Sequence, residues 1–138
     1  MTAEQWKKAE NMLSTVLGVV KMKVDGYNIT ICYAREKPTK YLLAVYVNGE
    51  IRGEWLTTDC EIRRKFYYCG EKQFFSAKEK KKIFADFTKR EQARFEKENH
   101  DRLYYKYYTP YFGSFRTLKA HFIKNNKSIE LVEENIEL

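Results

Sequence analysis

The sequence predicts an α+β fold: a four-stranded antiparallel β-meander of two type I′ hairpins, packed with an N-terminal helix and three C-terminal helices. Three observations predict it. Asp25-Gly26 and Asn48-Gly49 each join two β-rich runs through two residues that tolerate positive φ, the strongest short hairpin signal. Apolar residues alternate with period two in strand-like runs within 16–56 and recur at helical spacing before and after that stretch. Few prolines and glycines leave room only for short connections, which make sequential strands neighbours.

The elements follow in order. Thr2 with Gln5 forms a capping-box pattern, and Trp6, Ala9, Leu13 and Val16 lie at helical spacing, so residues 3–15 are expected to be a helix lying on the sheet. In the first hairpin, Val19–Val24 and Tyr27–Tyr33, the register pairs Val24 with Tyr27, Met22 with Ile29 and Val20 with Ile31 on one face. Arg35–Lys40, with Pro38, reads as a charged exposed loop. The second hairpin is expected to pair Tyr46 with Ile51, Ala44 with Gly53 and Leu42 with Trp55. Its first strand, Tyr41–Val47, is apolar on both faces and so belongs in the middle of the sheet.

Thr58 with Glu61 is read as a capping box opening a helix, and Gly70 as its stop. On that helix Ile62, Phe66 and Cys69 share one stripe, and Arg63, Arg64, Lys65, Tyr67 and Tyr68 occupy much of the rest. Ser76 with Glu79 opens a long helix running to about residue 98. Ile83, Phe84, Phe87 and Phe95 gather on one side of it; Lys78, Lys82 and Lys89 gather opposite, and Asp86 and Arg90 form an i,i+4 pair. From Tyr104 to Phe112 there are five tyrosines in nine residues, and Pro110 and Gly113 break any helix there. Ser114 caps a last helix with Phe115, Leu118 and Phe122 inward and Arg116, Lys119 and Lys124 outward, ended by Asn125-Asn126. Ser128–Glu133 has the pattern of a short edge strand.

The 138 residues fit one domain, divided into a sheet half (16–56), a basic helical half (58–127) and an acidic tail (128–138). Three cysteines at no metal-like spacing read as free thiols in a reducing compartment, hence a cytosolic protein. No apolar run approaches the ~20 residues of a membrane span, and the N-terminus lacks an apolar signal-peptide region. Residues 59–127 carry 18 Lys/Arg against 9 Asp/Glu, out of a total charge of +7. That field attracts polyanions.

No catalytic motif, phosphate-binding glycine loop or dinucleotide fingerprint occurs, so no enzyme activity, metal or cofactor is expected. His100 and His121 have no partner at ligand spacing. Glu54, Asp59 and Glu61 cluster after the second hairpin; the alternative reading makes them the carboxylates of a small metal-dependent hydrolase or nuclease. A further alternative is a homodimer held through exposed faces of Leu43, Val45 and Val47. The leading signal is cationic and aromatic: Arg63, Arg64 and Lys65 beside Tyr67 and Tyr68, then Lys78, Lys82 and Lys89, combine phosphate-seeking charge with stacking surface. Tyr104, Tyr105, Tyr107 and Tyr108 fit core packing, a protein interface or base stacking.

The order helix, strands, helix loosely resembles a double-stranded-RNA-binding domain, with four strands in place of three and two helices more. In size, in lysine and tyrosine richness and in lacking a catalytic motif, the chain resembles accessory proteins of phages and mobile elements, the anti-CRISPR inhibitors among them. That resemblance implies an inhibitor that binds an RNA-guided nuclease or its nucleic acid. The positive charge is opposite to that of the acidic DNA mimics in that group. The expectation is a non-enzymatic binding protein, monomer or homodimer, that engages nucleic acid or a nucleoprotein complex and has no membrane partner.

Overall fold

The first hairpin forms as its sequence dictates. In the computed structural model, which describes residues 1–132, β1 (Val19–Val24) pairs with β2 (Tyr27–Lys37) in the expected register, Val24 opposite Tyr27 and Val20 opposite Ile31. Asp25 and Gly26 have φ of 47° and 87°, the left-handed geometry of a type I′ turn. Burial alternates along β1: Val20, Met22 and Val24 are inside, Lys21 and Lys23 outside.

β3 (Lys40–Val47) pairs with β2 along nearly its whole length. The expected loop 35–40 is therefore mostly strand, with only Pro38 and Thr39 turning the chain. Leu43, Ala44 and Val45 are consecutively buried, as expected for a strand covered on both sides. Leu43, Val45 and Val47 lie in the hydrophobic core, which removes the exposed face on which a homodimer was imagined.

The second hairpin is corrected. Asn48 and Gly49 do turn the chain, with φ of 51° and 79°, but the ladder stops at one bridge between Val47 and Glu50. Arg52 then reaches both Glu50 (2.9 Å) and Glu54 (3.0 Å), and α2 (Glu54–Thr57) follows. The free edge of β3 is taken by β6 (Tyr111–Phe112), Leu43 opposite Phe112. Phe112 is wholly buried there, whereas a strand through Gly53 offers little to pack. β7 (Ile129–Leu131), the expected edge strand, pairs with β1. The main sheet thus has five antiparallel strands in the order β6-β3-β2-β1-β7, not four. Residues 133–138 of the acidic tail, Glu133 of the expected edge strand included, lie outside the described residues.

Helices complete the α+β fold. α1 (Ala3–Met12) has the full Thr2/Gln5 capping box and ends earlier than expected, leaving Val16 exposed. α7 (Phe115–Asn125) starts at Ser114, whose side chain accepts from the Thr117 amide, and buries Leu118 and Phe122 as expected. α3 (Glu61–Phe66) starts after Cys60, not Thr58. It ends well before Gly70, which lies in β4 (Tyr68–Gln73). Phe66, Phe112 and Phe122 meet edge to face in the core at 5.7 and 6.4 Å between ring centres.

The chain divides into two compact units: Met1–Tyr68 with the chain from Tyr108 onward, and Cys69–Tyr107 between them. The stretch 58–127, read as one helical half, contributes to both and contains three strands. In the inserted unit, β4 pairs with β5 (Tyr104–Thr109), so the tyrosine-rich stretch is strand. A Cβ on Gly70 would lie 2.4 Å from the Tyr107 ring, so this glycine admits a close approach and stops no helix. The expected long helix, to about residue 98, is two, α4 (Ala77–Ile83) and α5 (Lys89–Glu98), and a short α6 (His100–Leu103) follows. Thr88 caps α5 by accepting from the Glu91 amide, an N-cap inside what reads as continuous helix. Asp86 falls in the break, so no helical i,i+4 relation joins it to Arg90. Phe84, Phe87 and Phe95 still meet, all three pairs edge to face at 5.2–5.7 Å.

Candidate functional site

The structure sorts the expected cationic face into two groups. Arg63, Arg64 and Lys65 on α3 are engaged within their own unit. The Arg63 guanidinium sits 3.3 Å from the centre of the Tyr108 ring, and its Nε is buried with no hydrogen-bond partner among the described residues. A cation held against a ring face is stabilised by the ring's quadrupole. Arg64 donates from Nε to the Cys60 carbonyl at 3.3 Å and lies 3.7 Å from Asp59 Oδ1. Lys65 is largely buried and ion-paired with Asp25, the first residue of the β1–β2 turn. The Ser128 and Lys127 amides also donate to Asp25, at 2.8 and 3.2 Å. The Lys65 hydrogen bond, with those amides, holds the Asp25 carboxyl down at about 2. Tyr67, expected on the exposed face, is fully buried, and burial pushes its hydroxyl up to about 12. Tyr68 is half-buried against Phe112.

The lysines of the inserted unit differ. Lys78, Lys82 and Lys89 are exposed, as is Lys81 within the same run, and none has an ion pair among the described residues. Lys80 alone in the run is committed, to Glu96 at 3.0 Å with the Tyr104 hydroxyl 3.5 Å away. That hydrogen bond raises the Lys80 pKa and lowers that of Glu96. Lys80, Lys81 and Lys82 lie in the last turn of α4, where the helix dipole favours cations. Lys78 and Lys89 lie in first turns, where the dipole disfavours them.

The tyrosines also separate. Tyr104 stacks on His100 at 4.5 Å and 19° between planes, and His100 Nε2 is 3.0 Å from Glu71 Oε2. Lys72 lies over Tyr107 at 4.6 Å. Tyr105 is 39% exposed and packs against Phe74, itself 56% exposed, with ring centres 4.9 Å apart. Sequence reasoning passed over Phe74. Its signal was present: it stands two residues ahead of the Ser76 cap, off the helix stripe that would bury it. An open groove of about 700 Å³ lies in the same unit, with Gln73, Lys80, Lys81, Phe84, Ala85 and Gln92 among its walls.

The carboxylates of the hydrolase alternative meet different partners: Glu54 pairs with Arg52, Asp59 with Arg64, and Glu61 accepts from the Tyr27 hydroxyl at 3.1 Å. Among the described residues no three His, Cys, Asp or Glu side chains group as a metal site. His121 is half-buried against Phe112, and burial lowers its pKa. Cys32, Cys60 and Cys69 are free thiols. No described helix is long and apolar enough to cross a membrane. No protein-family model, curated protein or solved structure was found to match the chain.

Proposed function

We propose that this protein is a non-enzymatic nucleic-acid-binding protein whose contact surface is the inserted unit. The supporting observation is the contrast between its exposed, unpaired Lys78, Lys81, Lys82 and Lys89 and the internally engaged Arg63, Arg64 and Lys65. In this reading the lysines displace counterions from phosphates, and the exposed Phe74–Tyr105 pair supplies aromatic contact area. The nucleic acid is free or part of a nucleoprotein complex. An anti-CRISPR-like role follows if the partner is an RNA-guided nuclease, whose access to its nucleic acid the bound protein would occlude.

The test is oligonucleotide binding by fluorescence anisotropy across a salt series. Four phosphate contacts predict about a hundredfold loss of affinity between ~50 and ~200 mM salt. Changing Lys78, Lys81 and Lys82 to alanine lowers the slope by about one unit per lysine. Salt-insensitive binding, or no binding at low salt, refutes the reading.

A further inference from the structure

We infer that the groove between α4, α5 and the end of β4 holds an unstacked base of a single strand whose phosphates lie on the α4 lysines. The inference rests on the nucleic-acid reading above and names the subsite and the form of the nucleic acid. Four features of the groove carry it.

Its volume, about 700 Å³, falls within the ~300–1,000 Å³ of small-molecule sites. Its apolar lining is Ala77 and Ala85 with the small part of Phe84 left exposed, 5% of that residue. Phe84 is held in place by Phe87 and Phe95, so this surface exists before any ligand arrives. Its polar groups are two amides, Gln73 and Gln92, which donate and accept at once, as the edge of a base requires. Gln92 spends one donor on Glu96 at 3.4 Å and keeps its carbonyl oxygen. The charge is asymmetric. Lys80 in the wall is paired with Glu96, while Lys81 has no ion pair among the described residues. Lys78 and Lys81 are three residues apart and Lys78 and Lys82 four, so all three share one side of the helix. Phosphates on that side would leave the attached base at the groove mouth.

A duplex keeps its bases stacked inside and presents only their edges in the grooves, beside its phosphates. The groove therefore adds affinity only for a strand whose bases are free. The same lysines serve both forms.

The experiment compares a single-stranded 12-mer with the corresponding duplex, by anisotropy at low salt, using the full chain. The single strand is expected to bind at least tenfold more tightly. Ala85→Leu fills the groove from an exposed position that folding does not depend on, and Gln92→Leu removes an amide at nearly constant volume. Each is expected to reduce single-strand affinity about tenfold and to leave duplex affinity unchanged. Equal binding of the two forms, or single-strand affinity untouched by both variants, overturns the groove inference while nucleic-acid binding stands. Failure to bind either form overturns both.

Discussion

The two units of this chain solve the problem of burial differently. The sheet unit holds the whole connected core: Trp6, Met22, Ile31, Val45, Phe66, Phe112 and Phe122 are all within it and almost fully shielded. The inserted unit spans only residues 69–107, and its buried apolar side chains are Phe84 and Leu103. A stretch of fewer than about 40 residues rarely buries enough to be stable alone. This one relies on partly exposed aromatics, the Lys80–Glu96 ion pair and a side-chain N-cap on each of its two longer helices. Arg63, Arg64 and Lys65 of the sheet unit are tied to a ring face, a carbonyl and carboxylates, whereas Lys78, Lys81, Lys82 and Lys89 of the inserted unit have no ion pair among the described residues; exposed cations without one stand on the sheet unit too, Lys23 and Lys124 among them. Adaptable, weakly buried segments are where binding surfaces are commonly found.

That contrast can be broken. Truncating a core ring of the sheet unit, Phe122→Ala, is expected to destabilise the protein by about 3–5 kcal/mol in chemical denaturation. Phe95→Ala in the inserted unit, at a ring already 37% exposed, should cost about 1 kcal/mol. Equal losses would mean that both units share one core. Gly70→Ala should cost about 1–3 kcal/mol, because the new methyl displaces the Tyr107 ring and loosens the pairing of β4 with β5. Hydrogen exchange should localise that damage, with amides of 69–107 exchanging faster and those of β1 and β2 unchanged.

Acid sharpens the contrast from the other side. Asp25 is held at about 2 against an ordinary 3.8, so its ionised form favours the folded state. The sign follows: the contribution is complete above about pH 4 and disappears as pH falls through 2. Asp25→Asn should lower the Tm by several degrees at pH 7 and flatten the stability profile between pH 4 and 2. A profile in that window that matches the unmodified chain would remove Asp25 and Lys65 as the tie between the first turn, α3 and the segment after α7.

What the sequence made legible was local. Asp25-Gly26 and the alternation around it specify one hairpin and its register without help from elsewhere. Asn48-Gly49 specifies a turn equally well, but which strand fills the edge of β3 is decided at long range, by Phe112 more than sixty residues on. The break at 84–88 was readable as Thr88 with Glu91; the apolar spacing of Phe84, Phe87 and Phe95 masked it, because those rings also meet across a turn. Of the candidate surface, the lysines were legible as a run. That Lys65 would find Asp25, that Arg63 would lie on Tyr108, and that Tyr67 would be buried are tertiary facts with no local signature.

The most direct measurement compares two variants against wild type for nucleic-acid affinity at low salt: the triple change of Lys78, Lys81 and Lys82 to alanine, and the single Arg64→Ala. Surface changes of this kind alter stability by no more than about 0.5 kcal/mol, so both variants remain folded. The inserted-unit account predicts at least a tenfold loss for the triple variant and less than threefold for Arg64→Ala. A large loss for Arg64→Ala with the triple variant unaffected would place recognition on the sheet unit and contradict it.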